Sequence, residues 1–220
     1  MELLIMDADE LLNPVKFQKA MELVGEERRC KAEKFLKAES KRLSLAAGLL
    51  LRYAFFSVGQ PDLFEEIKIM DSGKPYLPNH EFGFSLSHSG RFAICGFSDR
   101  EIGCDIEKIR EKLPRTEKIF SADEARTFCE LDEDKKTAFF FRLWTCKESV
   151  TKWIGKGIAY PLKSLSVMDG EQVKQSIFMK ERQLFLKTFH VENYAISLCA
   201  ESAEFPEKLK KLEWNILIHN

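Results

Sequence analysis

The sequence predicts an α+β fold made of two similar α/β halves related by pseudo-twofold symmetry, and three observations point to it. Helical periodicity precedes strand periodicity in the first half, and the same order returns in the second. Short strand segments also recur in sequence: Ile67-Lys68-Ile69-Met70-Asp71 is echoed by Leu165-Ser166-Val167-Met168-Asp169, and Phe92-Ala93-Ile94-Cys95 by the strand beginning Tyr194-Ala195-Ile196. Apolar strands resemble one another by chance, but an ordered recurrence favours two homologous units packed together. The halves are expected at residues 1–107 and 108–220, joined through 108–118, with 201–220 as a C-terminal extension.

Each element follows from its pattern. Residues 14–36 place apolar side chains at helical spacing among charges, and 40–56 continue as a long helix with Leu43, Ala47, Leu50, Leu51 and Ala54 facing inward. Gly59 and Pro61 end it. Strands are expected at 66–71 and 82–87, then a hairpin of 92–97 with 101–107, because Ser98, Asp99 and Arg100 supply turn chemistry between apolar stretches. The second half reads as helices at 121–131 and 137–153, then strands near 165–168, 176–180, 184–190 and 194–200.

A chain of 220 residues with 45% hydrophobic and 31% charged content can build its own core without disulfides or a structural metal. Its 34 basic and 35 acidic residues leave a net charge of -1, which gives no general attraction to nucleic acid or an anionic membrane. The six cysteines fall in no metal-ligand or redox spacing. The first six residues are apolar but carry Glu2 and lack a basic flank, so no signal peptide is read there. The apolar run 45–51 is far short of the ~20 residues of a membrane span, and a cytoplasmic protein is expected.

The chemistry concentrates in four places. In Ile102-Gly103-Cys104-Asp105-Ile106-Glu107, strand period two sets Gly103, Asp105 and Glu107 on one face and Ile102, Cys104 and Ile106 on the core side. Two neighbouring carboxylates repel unless a hard, oxygen-preferring cation such as magnesium lies between them; taken alone, the pair also fits a solvated strand edge. On the helix at 137–153, Trp144, Glu148 and Lys152 share a face with Lys147 beside them, an arrangement equally open to a surface ion pair. Ser85-Leu86-Ser87-His88-Ser89-Gly90 offers small polar donors for a phosphate at a strand end. Gly73-Lys74-Pro75 is a turn that presents one lysine.

In this order, GKP, FSLSHSG, IGCDIE and FFRLWTCKESVTKWIGKG, the chain resembles the surfactin-type 4'-phosphopantetheinyl transferases over residues 28–165. The resemblance implies their two-half fold, a monomer, and transfer of 4'-phosphopantetheine from coenzyme A to a serine of an apo acyl or peptidyl carrier protein. The products would be holo-carrier and 3',5'-ADP. It implies magnesium, with manganese able to substitute, held by Asp105, Glu107 and Glu148. Lys152 would act on the leaving phosphate, and the serine proton would go to Glu148 or to a metal-bound water.

Coenzyme A would meet Lys74 and Pro75 at the adenine, Ser87 and His88 at the phosphates, and Lys147. Arg42 would meet its 3'-phosphate. Seven basic and four acidic residues between Glu26 and Arg42 suit a polyanion. Glu27 and Cys30 stand where relatives often carry lysine, so Arg28, Arg29, Lys31 and Lys37 are the alternatives there. The carrier is expected on the second half, at 121–128 and 137–141, in fatty-acid, polyketide or nonribosomal-peptide synthesis. A magnesium-dependent phosphodiesterase would use the same carboxylates but calls for a broader basic surface and stacking aromatics. A noncatalytic coenzyme A or carrier-binding protein would lack the carboxylates or Lys152, all of which this chain has.

Overall fold

A computed structural model describes residues 1–114, 118–156 and 160–218. In the first half, β1 (Glu2–Asp7) leads into α1 (Pro14–Leu23), α2 (Glu26–Glu33) and the long α3 (Ala38–Ser57). The small hairpin β2 (Lys68–Ile69) and β3 (Pro75–Tyr76) follows, then β4 (Gly83–Ser89) and β5 (Phe92–Ser98). The second half repeats the plan: β6 (Ile102–Lys108), α4 (Ala122–Glu130), α5 (Glu133–Ile154), the hairpin β7 (Met168–Asp169) and β8 (Gln172–Val173), β9 (Ser176–Met179), β10 (Arg182–Val191) and β11 (Tyr194–Ala200). The chain ends with β12 (Lys210–Lys211) and α6 (Trp214–Ile218).

The two sheets have the orders β12-β1-β5-β4 and β6-β11-β10-β9. Within them β1-β5-β4 and β6-β11-β10 are the same antiparallel arrangement, with α3 and α5 in equivalent places, so the echo read from the sequence is an echo of topology. The layers run helix, sheet, sheet, helix. Leu4, Met6, Ala93 and Cys95 pack with α3 on one outer face, and Leu184, Leu186, Ala195 and Cys199 with α5 on the other. Between the sheets, Leu3, Ile5, Phe92 and Ile94 meet Ile102, Cys104, Ile106, Ile196 and Leu198.

Several expectations change. The hairpin of β5 with β6 does not form: β5 pairs with β1 and β4, while β6 pairs with β11. Ser98-Asp99-Arg100 carries the chain from one sheet to the other, so we place the start of the second half at β6 rather than at residue 108. Of the extension expected at 201–220, the described part, 201–218, packs on the first half: β12 runs parallel to β1, and Leu212, Trp214 and Leu217 join its core. The helix expected at 14–36 is broken at Gly25, whose φ of 74° suits glycine and turns the chain between α1 and α2. β1 went unread as a strand. Of the connection 108–118, residues 115–117 lie outside the described residues, as does Gly157 at the end of the last motif. Among the described residues no helix is long and apolar enough to cross a membrane.

Candidate active site

β4 and β6 are the strands at which the two sheets meet, and they run side by side in the same direction. The joint is made by serines: the Ser85 hydroxyl accepts from the Cys104 N–H at 3.0 Å and the Ser89 hydroxyl from the Lys108 N–H at 3.1 Å. Above β6 lies α5, and Gly103 sets how close it comes. A Cβ on Gly103 would fall 1.9 Å from the Ser149 carbonyl oxygen, so only glycine lets the helix backbone rest on the strand. That approach brings Lys152 onto Asp105, with Nζ donating to Oδ1 at 2.7 Å.

Asp105 is 5% exposed. Its Oδ1 also accepts from the Ser87 hydroxyl at 2.7 Å, while Oδ2 is buried with no hydrogen-bond partner. Two strand positions on, Glu107 accepts from the Ser89 hydroxyl at 2.8 Å and from Arg110 at 3.4 Å. Burial, and then the charge of Asp105, push the Glu107 carboxyl up against the pull of Ser89. Glu148, one α5 turn before Lys152, is pushed up to about 7, by burial first and then by Asp105 and Glu107, with Lys152 opposing. Burial pulls the Lys152 ammonium down, but Asp105, Cys104 and Glu148 together outweigh it and hold the group above its ordinary value.

Of these side chains, Glu148 and Lys152 open into a cleft of two joined lobes. One, of about 340 Å³, is lined by Lys74, Pro75, Ser87 and His88 from the first half and by Glu148 and Lys152 from the second. The other, of about 420 Å³, is lined by Phe64, Ile67, Ile69 and Gly25, and Arg28, Lys31 and Pro75 border both. Lys74 is anchored by Glu101 at 2.7 Å. His88 is held below its ordinary value first by desolvation and then by Lys152, Arg28 and Lys31, although the residue is exposed at the cleft. The smaller lobe is therefore basic, with Arg28, Lys31, Lys74 and Lys152 against Glu148, whereas Glu26, Glu27 and Glu65 line the other lobe beside its apolar walls; the basic lobe suits an anionic group and the apolar walls an apolar or aromatic one.

Two expected coenzyme A residues are elsewhere. Lys147 is 0% exposed, paired with Glu124 and donating to the carbonyls of Ile119 at 2.7 Å and Leu162 at 3.0 Å. Its place on α5 points it into the second core, so it ties that helix to its surroundings instead of meeting a ligand. Arg42 faces Asp9 at 3.7 Å and does not line the cleft. Of the alternatives on α2, Arg28 and Lys31 line it; their spacing of three on one helix puts them on a common face. Ser87 lines the cleft as expected but is also bonded to Asp105. Ser89, named in the Ser85–Gly90 segment without a role of its own, holds Glu107; a serine in an alternating strand gives no sign of its cross-strand partner. At 137–141, one of the two stretches where the carrier is expected, the phenylalanines are turned inward: Phe139, Phe140 and Phe141 are core residues, with Phe120 against Phe139 and Phe140.

As they stand, no three His, Cys, Asp or Glu side chains among the described residues converge closely enough to cage a metal ion. The chemistry of the donor set nevertheless fits a hard divalent cation. Asp105 and Glu107 both raise Glu148, Asp105 raises Glu107, and Asp105 Oδ2 is a buried oxygen with nothing to accept from.

Comparison with known proteins agrees with this architecture. Residues 101–199 match the family model for the 4'-phosphopantetheinyl transferase superfamily, and residues 13–98 match that for the 4'-phosphopantetheinyl transferase N-terminal region. The chain is 31% identical over 216 residues to 4'-phosphopantetheinyl transferase Sfp of Bacillus subtilis (strain 168), covering 96% of each chain. It is 30% identical over 218 residues to 4'-phosphopantetheinyl transferase ffp of Bacillus subtilis, again covering 96% of each. To 4'-phosphopantetheinyl transferase gsp of Aneurinibacillus migulanus it is 27% identical over 187 residues, 80% of this chain and 76% of the relative. Two halves of one plan, a cleft lined by both and likeness along nearly the whole chain make this protein a member of the 4'-phosphopantetheinyl transferase superfamily.

Proposed function

We propose that the cleft between the halves is where this transferase moves the 4'-phosphopantetheine group of coenzyme A onto a serine of an apo acyl or peptidyl carrier protein, leaving 3',5'-ADP. The observation that carries the assignment to this cleft is the meeting of His88 and Lys74 from one half with Glu148 and Lys152 from the other, over the buried Asp105. Since one chain supplies both walls, a monomer suffices for catalysis.

In the transfer, the carrier serine oxygen bonds to the β-phosphorus of coenzyme A, and the bond from that phosphorus to the bridging oxygen breaks. The serine proton passes to the Glu148 carboxylate, which is raised to about 7 without the cation and would serve from beside it rather than as its ligand, since a carboxylate bound directly to magnesium is a poor base. Lys152, held charged by its acidic neighbours, meets the negative charge that grows on the departing phosphate. Arg28, Lys31, Lys74 and His88 hold parts of the polyanion that do not react. Asp105 and Glu107 would hold a magnesium ion, for which manganese would substitute, with Glu148 beside it. When bound, it would neutralise charge on the pyrophosphate.

Transfer and coenzyme A binding, measured side by side, test this reading. Asp105→Ala and Glu107→Ala are expected to lose roughly a hundredfold or more in transfer rate while retaining most coenzyme A binding, since the lost stabilisation belongs to the transition state. Equal losses in both would contradict it.

A further inference from the structure

We infer that Ser89 is a positioning residue for the transfer: its hydroxyl, presented by the first half of the chain, fixes the orientation of the Glu107 carboxylate, which belongs to the second. The inference rests on the reading of Glu107 as a metal ligand given above.

The alternation of β4 lies against the alternation of β6, so that Ser87 meets Asp105 and Ser89 meets Glu107 at the same two-residue period. Ser87 opens into the cleft, where substrate can reach it; Ser89 is not among the residues lining either lobe. Whatever Ser89 does for the reaction, it does through Glu107. Its hydroxyl has one hydrogen and two lone pairs. The Lys108 N–H donates into the oxygen at 3.1 Å, which leaves the hydroxyl hydrogen free to be given to Glu107 Oε2 at 2.8 Å. The backbone amide next to Glu107 thus fixes the serine, and the serine fixes the carboxylate.

Glu107 has two other side-chain partners: Trp144 of α5, whose effect on the carboxyl is smaller than that of Ser89, and Arg110, which addresses the same oxygen from 3.4 Å but is largely exposed, so that its contact constrains little. Ser85 provides a built-in comparison. It makes the equivalent joint between the strands, accepting from the Cys104 N–H at 3.0 Å, yet its hydroxyl is not bonded to either carboxylate. Ser85 also lines the smaller lobe, so what separates it from Ser89 is the carboxylate contact alone, and metal affinity is the property that tells the two apart.

The experiment titrates manganese(II) into wild type, Ser89→Ala and Ser85→Ala in the presence of coenzyme A. Bound metal is followed by electron paramagnetic resonance, with thermal melts on the same samples. Ser89→Ala is expected to bind manganese about tenfold more weakly, the scale at which partners of metal ligands act. It should also lower kcat, with KM for coenzyme A within about twofold of wild type. Ser85→Ala is expected to melt lower and keep its manganese affinity. Should Ser89→Ala not fold, the isosteric pair Ser89→Thr and Ser89→Val reads the same difference, with the valine variant the weaker binder. Unchanged affinity in Ser89→Ala, or an equal loss in Ser85→Ala, overturns the inference. Failure of wild type to bind manganese instead removes the metal reading itself, and the inference with it.

Discussion

Glu148→Gln should stabilise the metal-free protein at alkaline pH and leave it unchanged at acid pH. The Glu148 carboxyl is raised from 4.5 to about 7 because burial and the charges of Asp105 and Glu107 disfavour its ionised form. A carboxyl raised in the folded state binds its proton more tightly there than in the unfolded chain, so stability is greatest below about pH 4.5 and declines as pH rises through 7. At about 1.4 kcal/mol per pH unit of separation the full loss is on the order of 3 kcal/mol, and solvent reaching this half-buried group brings it to about 2–3 kcal/mol. Glutamine keeps the shape without the charge. For a chain of this size a kcal/mol moves Tm by about 2–4 °C, so the variant should melt roughly 4–12 °C above wild type at pH 8 and coincide with it at pH 4.5. Thermal melts in chelator, without coenzyme A, at both pH values measure it. A difference of the same size at the two pH values would refute the argument that converging negative charge sets this group's behaviour.

Two further outcomes follow from where the structure puts the lysines and the histidine. Lys147→Ala leaves Glu124 buried without its counter-charge and should cost about 3–5 kcal/mol in a denaturant titration, with KM for coenzyme A unchanged in the folded fraction. A raised KM at undiminished stability would return Lys147 to the ligand. Lys74→Ala and His88→Ala should raise KM for coenzyme A several-fold with little change in kcat, because they hold parts of the substrate that do not change in the reaction. Steady-state kinetics with saturating carrier read this directly, and a fall in kcat alone would contradict it.

What the sequence made legible was periodic and local. Strand alternation set Asp105 and Glu107 on one face and buried Ile102, Cys104 and Ile106 on the other, and helical spacing put Glu148 one turn from Lys152. What it concealed depends on partners far along the chain. β5 and β6 are apolar strands three residues apart, so adjacency suggested a hairpin; their pairing is decided by β1, β4 and β11, which no local pattern announces. β12 pairs with β1 across nearly the whole length of the protein. Lys147 was misplaced because α5 is buried on most of its circumference, so a helical wheel has no clear outside against which to assign a polar residue. Arg42 was placed by resemblance, and its own geometry turns it to Asp9.

Intact-mass measurement of an apo-carrier protein, incubated with this protein, coenzyme A and magnesium, tests the central claim most directly. The carrier should gain the mass of one phosphopantetheine group on its serine, with 3',5'-ADP released in equal amount. Glu148→Gln should leave the carrier unmodified over the same time. A carrier of unchanged mass with wild type, while coenzyme A is bound in the cleft, would contradict the account, and so would full modification by the Glu148→Gln variant.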